Sequence, residues 1–520
     1  MSKAHIAKST GVLAAATALS RILGFARDMV LAALFGTSAS AQAFVVAFRL
    51  PNLLRDLVAE GAVTSAFVPV LSAYRATRPG EFWPLAQALL ARTCLILLAL
   101  GASGALAAPF IVRIIAPGFA GDPGKFALTV RLTRLLFPFI TLVGLWAYAM
   151  GVLNSLGRFI APALGPAILN IAMIIAGVGF ASRVQPGVLA LAWGVLIGGA
   201  VQVAIQVPAA MRAGFRWGWR WRHPGAGDVL RLLGPRTVGS AAYQLSVVVD
   251  TALASLAAVV GEGAVAALYF ANRLVQLPLA VFGTASAQAS LPALSAHAAR
   301  RDIAEFQATL VSVLRMVGMV VLPSAAGLIV LARPIVETLF ERGAFDHRAT
   351  VMTAQALACY ALGLLAFTVS KICSGGFYAL RETRVPVRLA VESLLANVVL
   401  SVALMWPLRL NGLALAAALS NSLNAYRLLR ALERRLGLPL LATVAGPWLR
   451  MAGASVLMAI GCRLTWRLLA PLSAAGALGA AIVAGLGWYA VACLMLRVQE
   501  FQKALRWLRT LPLLHRLSNE

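Results

Sequence analysis

The chain has 520 residues, of which 61% are hydrophobic and only 12% are charged, and its mean hydropathy is +0.85. Soluble globular domains contain about 45–50% apolar and about 25% charged residues, so this composition excludes a soluble protein and indicates a polytopic membrane protein. The formal net charge is +27, which taken alone would also fit a nucleic-acid-binding protein.

Apolar stretches of about 20 residues recur along the whole chain, each long enough to cross a hydrocarbon core of about 30 Å. Polar breaks divide them into fourteen predicted transmembrane helices. In chain order these cover residues 9–35, 41–73, 86–116, 128–155, 159–181, 187–211, 228–258, 263–296, 308–332, 350–375, 385–407, 411–430, 445–470 and 473–496. No gap between them is long enough for a soluble domain, so we expect the function to reside in the membrane-embedded part.

Lysine and arginine are concentrated in every second connection between the predicted helices. The segments 212–222 and 427–435, for example, each contain four arginines, whereas the alternate connections carry far fewer basic residues. This asymmetry follows the positive-inside rule and predicts that both termini are cytoplasmic. The net charge therefore reflects membrane topology, and no nucleic-acid partner is expected.

Predicted helix 1 carries a polar stripe within an otherwise apolar segment. The polar residues that share one arc, at about 100° per residue, include Ser20, Arg21, Arg27 and Asp28. An arginine at bilayer depth costs about 2.5–3.5 kcal/mol even on the mildest scale. We therefore expect this stripe to face a wet interior rather than lipid.

Two further predicted helices repeat this arrangement. The polar face of helix 2 is formed by Gln42, Arg49, Asn52, Asp56 and Glu60, with Arg55 beside it. The polar face of helix 8 contains Asn272, Arg273 and Gln276.

Arginines outnumber acidic residues on these three faces. One interpretation is structural, in which the arginines pair with Asp28, Asp56 and Glu60 to hold helices together. The surplus of guanidinium groups favours a second interpretation, a cationic cavity that binds an anion, because their forked donors suit phosphate.

Pairs of short segments in the two halves of the chain resemble each other at a similar offset. These pairs are 67–74 with 290–297, 116–122 with 341–347, and 151–162 with 376–386. Six helices separate the copies, which predicts a parallel repeat. We expect an all-α fold with an N-lobe at 1–222 (helices 1–6) and a C-lobe at 223–440 (helices 7–12). The remaining residues, 441–520, would hold helices 13 and 14 and a basic cytoplasmic tail, and the two lobes would rock to alternate access to the cavity.

No cofactor is predicted. The five cysteines lack the spacing of metal or redox sites, and the five histidines form no cluster along the chain. The segment 121–125 lacks the Walker spacing of an ATP site.

The segments 20–36, 47–74, 269–296 and 376–387 resemble the lipid II flippase MurJ (MviN) family, and the resemblance covers essentially the whole chain. It implies the fold of the multidrug/oligosaccharidyl-lipid/polysaccharide (MOP) exporters and a transporter rather than an enzyme. The implied substrate is lipid II, undecaprenyl-pyrophosphate disaccharide-pentapeptide, moved to the outer leaflet of the bacterial cytoplasmic membrane for peptidoglycan synthesis. Membrane lipids and cell-wall synthesis or division proteins are the other implied partners.

The resemblance also implies substrate-binding residues. Those that match family positions are Ser20, Arg21, Arg27, Asp28, Arg55 and Arg273, and Arg49 stands where relatives are often basic. Gln42 and Gln276 stand where relatives can have aspartate and glutamate, which makes the expected cavity more positive, and Gln276 is kept in the predicted site.

The resemblance further implies a sodium site in some relatives, on helices 7, 11 and 12. Asp250 and Asn397 match two of its ligands and are the sodium candidates here, whereas Ser401 and Ala417 replace other expected partners. Helices 13 and 14 resemble the extra pair of the family, which flanks a groove for the polyprenyl tail.

Three other functions would leave some of the same features in the sequence. An exporter of another lipid-linked oligosaccharide would have the same features, and an exporter of small drugs would need acids for cationic cargo. A membrane glycosyltransferase would need a carboxylate or histidine constellation, and the nearest set, Glu341, Asp346 and His347, is interpreted as solvated charge at a helix end. With no ATP site predicted, we expect the membrane potential to drive transport.

Overall fold

The computed structural model describes residues 3–56, 67–218, 220–471 and 473–509. Side chains are described throughout these ranges except at 3–14, 54, 56, 230–243 and 507–509, where only the backbone is described. Glu60 and the side chain of Asp56, two acids of the predicted helix 2 face, lie outside this description.

The described first half of the chain is helical. Its helices are α1 (Lys3–Phe35), α2 (Ala39–Asp56), α3 (Val68–Thr77), α4 (Phe82–Leu106), α5 (Ala108–Ile115), α6 (Pro123–Leu136), α7 (Pro138–Ser155), α8 (Ile160–Phe180), α9 (Val188–Ala204), α10 (Val207–Met211), α11 (Gly225–Ala254) and α12 (Ala257–Val260). Short 3-10 turns at Pro79–Glu81 and Pro117–Gly121 connect some of them.

The second half continues in the same way, and no strand occurs in the described parts of the chain. Its helices are α13 (Ala264–Pro278), α14 (Ala285–Ala299), α15 (Ile303–Val330), α16 (Ala332–Phe340), α17 (His347–Leu362), α18 (Leu364–Ala379), α19 (Arg384–Leu408), α20 (Leu410–Leu436), α21 (Leu440–Leu469), α22 (Ala474–Met495) and α23 (Gln499–Arg509). A π-helical segment, Leu279–Thr284, joins α13 to α14.

The all-helical membrane fold is confirmed. Within the described ranges, nine helices are long and apolar enough to cross a membrane, and the bent pair of α17 and α18, with 43° between them, would make a tenth. Each of the fourteen predicted spans is mostly helical where the structure describes it, with short breaks such as those at Ala107, Phe137 and Gly363. Their number as membrane spans stays a prediction.

Many large apolar side chains lie on outer helix faces, where a soluble protein would place polar groups. Those more than half exposed include Ile22, Leu106, Phe110, Leu468 and Val483. Exposed apolar surface of this extent marks contact with another apolar phase. These faces therefore suit lipid.

The chain divides into two compact units. The first contains Met1–Ala258, Glu262–Ala266 and Arg342–Asp346, and the second contains Val259–Gly261, Ala267–Glu341 and His347–Glu520. This division by contact groups α11 with the first unit, whereas the repeat assigns that helix to the C-lobe. The lobe boundaries at 222 and 440 stay predictions from the repeat.

In the first unit, α8 packs against both α1 and α9. On α9, Gly194 and Gly198 are one helical turn apart and face α8, and a Cβ at either would come within 3.0 Å of an alanine Cβ on that helix. Small residues at this spacing let membrane helices approach closely. Because α8 packs closely against α9, it provides a fixed surface against which the charged part of α1 packs.

Candidate functional site

Two residues of the predicted site form a buried ion pair on α1. Arg27 is 6% exposed and Asp28 only 2%. Arg27 donates from Nη2 and Nε to Asp28 Oδ1, at 2.7 and 3.1 Å. The carboxylate thus offsets the guanidinium charge locally, so neither charge is buried without a counter-ion.

Asn170, on α8, completes this cluster, and the sequence analysis missed it. Its Oδ1 accepts a 3.1 Å hydrogen bond from Arg27 Nη1, and its Nδ2 donates to the Ser20 carbonyl oxygen at 3.2 Å. One amide therefore ties the guanidinium and an earlier turn of α1 to α8. A single asparagine in an otherwise apolar helix was the available signal, since polar residues in membrane helices are functional candidates.

The other arginines of the first unit are more accessible. Arg21 is exposed on α1, while Arg49 and Arg55 are half-buried on α2. The structure therefore joins Ser20, Arg27 and Asp28 through Asn170 and places Arg21 on the same helix as an accessible cation.

The predicted residues of helix 8 lie on α13, in the second unit. The Arg273 guanidinium lies over the Tyr269 ring at 5.1 Å and donates from Nη2 to Tyr269 Oη at 3.2 Å. Gln276 donates to Asn272 Oδ1 at 2.6 Å. Tyr269, one turn before Arg273, is a second residue that sequence reasoning missed, and it orients the guanidinium by stacking and hydrogen bonding together.

A backbone irregularity follows this face. The π-helical segment Leu279–Thr284 begins directly after Pro278. Proline removes one backbone donor from the helix, and π-helical turns are frequent at functional sites. The Arg273 face therefore ends at a point where the helix departs from regular geometry.

The sodium candidates belong to different compact units. Asp250 is half-buried on α11, and Asn397 is 2% exposed on α19, where its Oδ1 accepts from Ser420 Oγ at 3.3 Å. Among the residues that the structure describes, no group of three or more His, Cys, Asp or Glu is suited to a metal. The sodium site stays a prediction.

Lys125 forms a second buried polar cluster, at the end of the first unit where α1 meets α2. Its side chain is 3% exposed, and Nζ donates to Gln42 Oε1 at 3.2 Å and to Glu262 Oε2 at 3.3 Å. The ammonium also lies 4.3 Å from the Phe119 ring centroid. Lys125 lies between the predicted helices 86–116 and 128–155, and its partner Glu262 is 137 residues away in sequence.

Two backbone contacts lie beside this cluster. Ala344 N donates to the Ala33 carbonyl oxygen at 2.8 Å, and Gly118 N donates to Ser255 Oγ at 2.9 Å. We call these two contacts and the Lys125–Glu262 bond the end seam. All of its residues belong to the first compact unit, so the seam joins segments that are far apart in sequence.

The end seam requires glycine at two positions. Gly36 and Gly343 both have positive φ angles, of 54° and 59°. A Cβ at Gly36 would overlap the Ala344 carbonyl, and one at Gly343 would overlap the Ala33 carbonyl. Only glycine permits this backbone approach without strain.

Comparison with known proteins assigns the chain to a family. The model of the family described as "Lipid II flippase MurJ" matches residues 31–484. The chain belongs to the lipid II flippase MurJ family. Lipid II flippase MurJ of Burkholderia cenocepacia is 35% identical over 426 residues, which cover 81% of this chain and 82% of the relative. A probable lipid II flippase MurJ of Rhizobium meliloti is 36% identical over 488 residues, covering 91% and 89%.

Solved structures agree with this assignment. A lipid II flippase MurJ in an inward closed conformation superposes with a TM-score of 0.78 at 25% identity, over 93% of this chain and 98% of that one. An inward-facing multidrug resistance MATE transporter of the MOP superfamily has a TM-score of 0.68 at 16% identity, over 80% and 94%. The second likeness concerns the fold alone and confirms the MOP exporter fold of this MurJ family member.

Proposed function

We propose that this MurJ family member is a transporter that moves lipid II from the inner to the outer leaflet of the bacterial cytoplasmic membrane. The observation that carries the proposal is the family match over residues 31–484. The buried Arg27–Asp28–Asn170 cluster supports it, because a guanidinium held in a membrane helix is suited to an anionic group. Lipid II supplies that group as a pyrophosphate.

The arrangement suggests an order of contacts. Arg21 is exposed and would meet the pyrophosphate first. Arg27, whose bonds to Asp28 and Asn170 hold it in place, would then exchange one of these partners for a phosphate oxygen. Exchange of the neutral Asn170 rather than Asp28 keeps the ion pair intact, so no unpaired buried charge arises.

We assign roles in binding to further arginines, one in the second unit and two on α2. Arg273 is preoriented by Tyr269 and would bind the same headgroup, with Gln276 nearby on α13. Arg49 and Arg55, both half-buried, would line the way to the cationic cavity that the sequence predicts.

The proposed topology gives the end seam a role. With both termini cytoplasmic, as the distribution of basic residues predicts, the end of α1 and the start of α2 lie on the outer side. A closed seam would then block the outward route while headgroup binding occurs from the cytoplasm, and opening it would release lipid II outside. Alternating access of this kind is the mechanism we propose.

Complementation in a strain depleted of its own flippase tests the function. Expression of this chain is expected to restore growth and to prevent accumulation of lipid II in the inner leaflet. The control is an equally expressed Arg21→Ala, Arg27→Ala, Arg273→Ala triple variant, which should insert in the membrane but fail to restore growth. Accumulation of another lipid-linked glycan in place of lipid II would contradict the proposed cargo.

Membrane potential is expected to power the cycle. An anion that moves outward runs down an inside-negative potential and gains about 2.3 kcal/mol per charge per 100 mV, or about 4–5 kcal/mol for roughly two charges on a pyrophosphate. Valinomycin with potassium, at constant ATP and pH gradient, should therefore stop lipid II from appearing outside. Undiminished transfer under these conditions, with loss only on sodium removal, would instead favour the Asp250 and Asn397 site.

A further inference from the structure

An open groove lies between α5 and α6 in the first unit, away from the Arg27 cluster. Its volume is about 360 Å³. It is lined by Pro109, Phe126, Ala127, Val130, Arg131 and Arg134. The groove thus has an apolar floor and two guanidinium groups at one side. This arrangement matches an amphipathic ligand, which has an apolar part and a charged part.

Arg131 and Arg134 present their side chains on one face of α6. Both are exposed, whereas Leu132 and Thr133 between them are buried against the rest of the unit. A third guanidinium, that of Arg113 on α5, lies 5.8 Å from the ring centroid of Phe126 in the groove. Among the residues that the structure describes, no acidic side chain forms an ion pair with these three arginines. The groove therefore carries a local positive charge that an anion would balance.

The position of these arginines along the helix is consistent with headgroup depth. Together, α6 and α7 form one span, Pro123–Ser155, of 33 residues with a break at Phe137, which at about 1.5 Å per residue is about 50 Å long. The part after Arg134 alone spans about 31 Å, which equals the thickness of the hydrocarbon core. With that part crossing the core, Arg131 and Arg134 would lie at the depth of the phospholipid phosphates, and the groove extends beside them.

We propose that this groove binds one anionic phospholipid. Its phosphate lies between Arg131 and Arg134, which can each donate two parallel hydrogen bonds to phosphate oxygens. An acyl chain covers Pro109, Phe126 and Val130. A soluble phosphate compound would use only the arginines, whereas a phospholipid satisfies both the charge and the apolar floor. This site is independent of the proposed transport of lipid II.

Native mass spectrometry of the full chain in detergent tests the site, with phosphatidylglycerol as the probe and phosphatidylethanolamine of the same acyl chains as the comparison. We expect one retained phosphatidylglycerol per protein. The Arg131→Gln, Arg134→Gln double variant should bind it about thirtyfold more weakly, since an arginine near a membrane surface contributes about a fivefold factor. The matched control is Arg463→Gln, Arg467→Gln, which removes an exposed arginine pair from α21 and should bind as the unmodified protein does.

A second variant tests the apolar part without removing charge. Ala127→Trp fills the groove and keeps both arginines, so it should also lose the retained phosphatidylglycerol. Equal binding of the two lipids, or unchanged binding in both the arginine double variant and Ala127→Trp, would overturn the proposal. Full competition by glycerol phosphate would also overturn it, because the site would then recognise only a soluble anion.

Discussion

Replacing Arg27 with alanine is expected to reduce lipid II transfer by at least about a hundredfold. Truncating one partner of a buried ion pair costs about 3–5 kcal/mol, and the carboxyl of Asp28, only 2% exposed, would lose its two bonds to the guanidinium. The proposed pyrophosphate contact would be lost as well. Lipid II transfer into the outer leaflet of vesicles that contain purified protein measures the effect directly.

Further variants separate charge from position. Arg27→Lys keeps the charge but cannot contact Asp28 and Asn170 with a planar fork, so it should remain far below the unmodified protein. Asn170→Leu removes no charge, yet it loses the bonds to Arg27 and to the Ser20 carbonyl. We expect it to weaken binding of lipid II and to lower stability by about 1 kcal/mol, because hydrogen bonds between membrane helices average about 0.6 kcal/mol each.

The control for Asn170 is its neighbour Ile171, which is 42% exposed on the same helix. Ile171→Ala shortens a side chain of α8 without touching the cluster and should leave both transfer and thermal stability near the unmodified values. Full activity of Arg27→Ala would contradict the proposed role of the cluster. Equal losses in Asn170→Leu and Ile171→Ala would show that α8 acts only as packing.

A disulfide across the end seam is expected to stop transport reversibly. Ala33 and Ala344 are joined by a 2.8 Å backbone hydrogen bond, which limits their Cα atoms to about the separation of 4.4–6.8 Å that disulfides bridge. In a background with the five native cysteines replaced, oxidation of the Ala33→Cys, Ala344→Cys variant should abolish lipid II transfer. Reduction should restore it, because the seam could then open again.

Each single cysteine variant serves as a control and should transport lipid II under both conditions. Gel mobility after proteolysis between the two positions reports how much of the protein is crosslinked. Full transport by completely crosslinked protein would show that the seam need not open during the cycle. That result would leave the binding role of Arg27 intact, so the two proposals can fail separately.

Helix positions were predictable because apolar runs of membrane length are a strong local signal. The ends of the helices were less predictable from the sequence. The predicted helix at 86–116 breaks at Ala107 into α4 and α5, with Pro109 in the first turn of the second helix. The predicted start at 128 lies after the true start of α6 at Pro123, where Asp122 accepts a hydrogen bond from Lys125 N. Aspartate followed by proline is a helix-start signal that the sequence contained.

The site was predictable only in part, since helical periodicity describes one helix at a time. It correctly placed Arg27 and Asp28 on α1, but it could not find Asn170, whose contact to Arg27 joins residues 143 positions apart. The same reason explains Lys125, which is buried only because Glu262 and Gln42 converge on it. Whether the remaining arginines act on one substrate stays a prediction.

In each of the two backbone contacts of the end seam, at least the donor of the hydrogen bond is a main-chain atom. Ala33 and Ala344 meet through a carbonyl and an amide, and Gly118 contributes its amide. Substitution of Ala33 or Ala344 by any residue other than proline keeps the main-chain amide and carbonyl, so mutations there leave this hydrogen bond in place. Gly36 and Gly343, by contrast, have no tolerated substitute. An antibacterial compound that bound these amides and carbonyls would therefore leave the protein few routes to resistance.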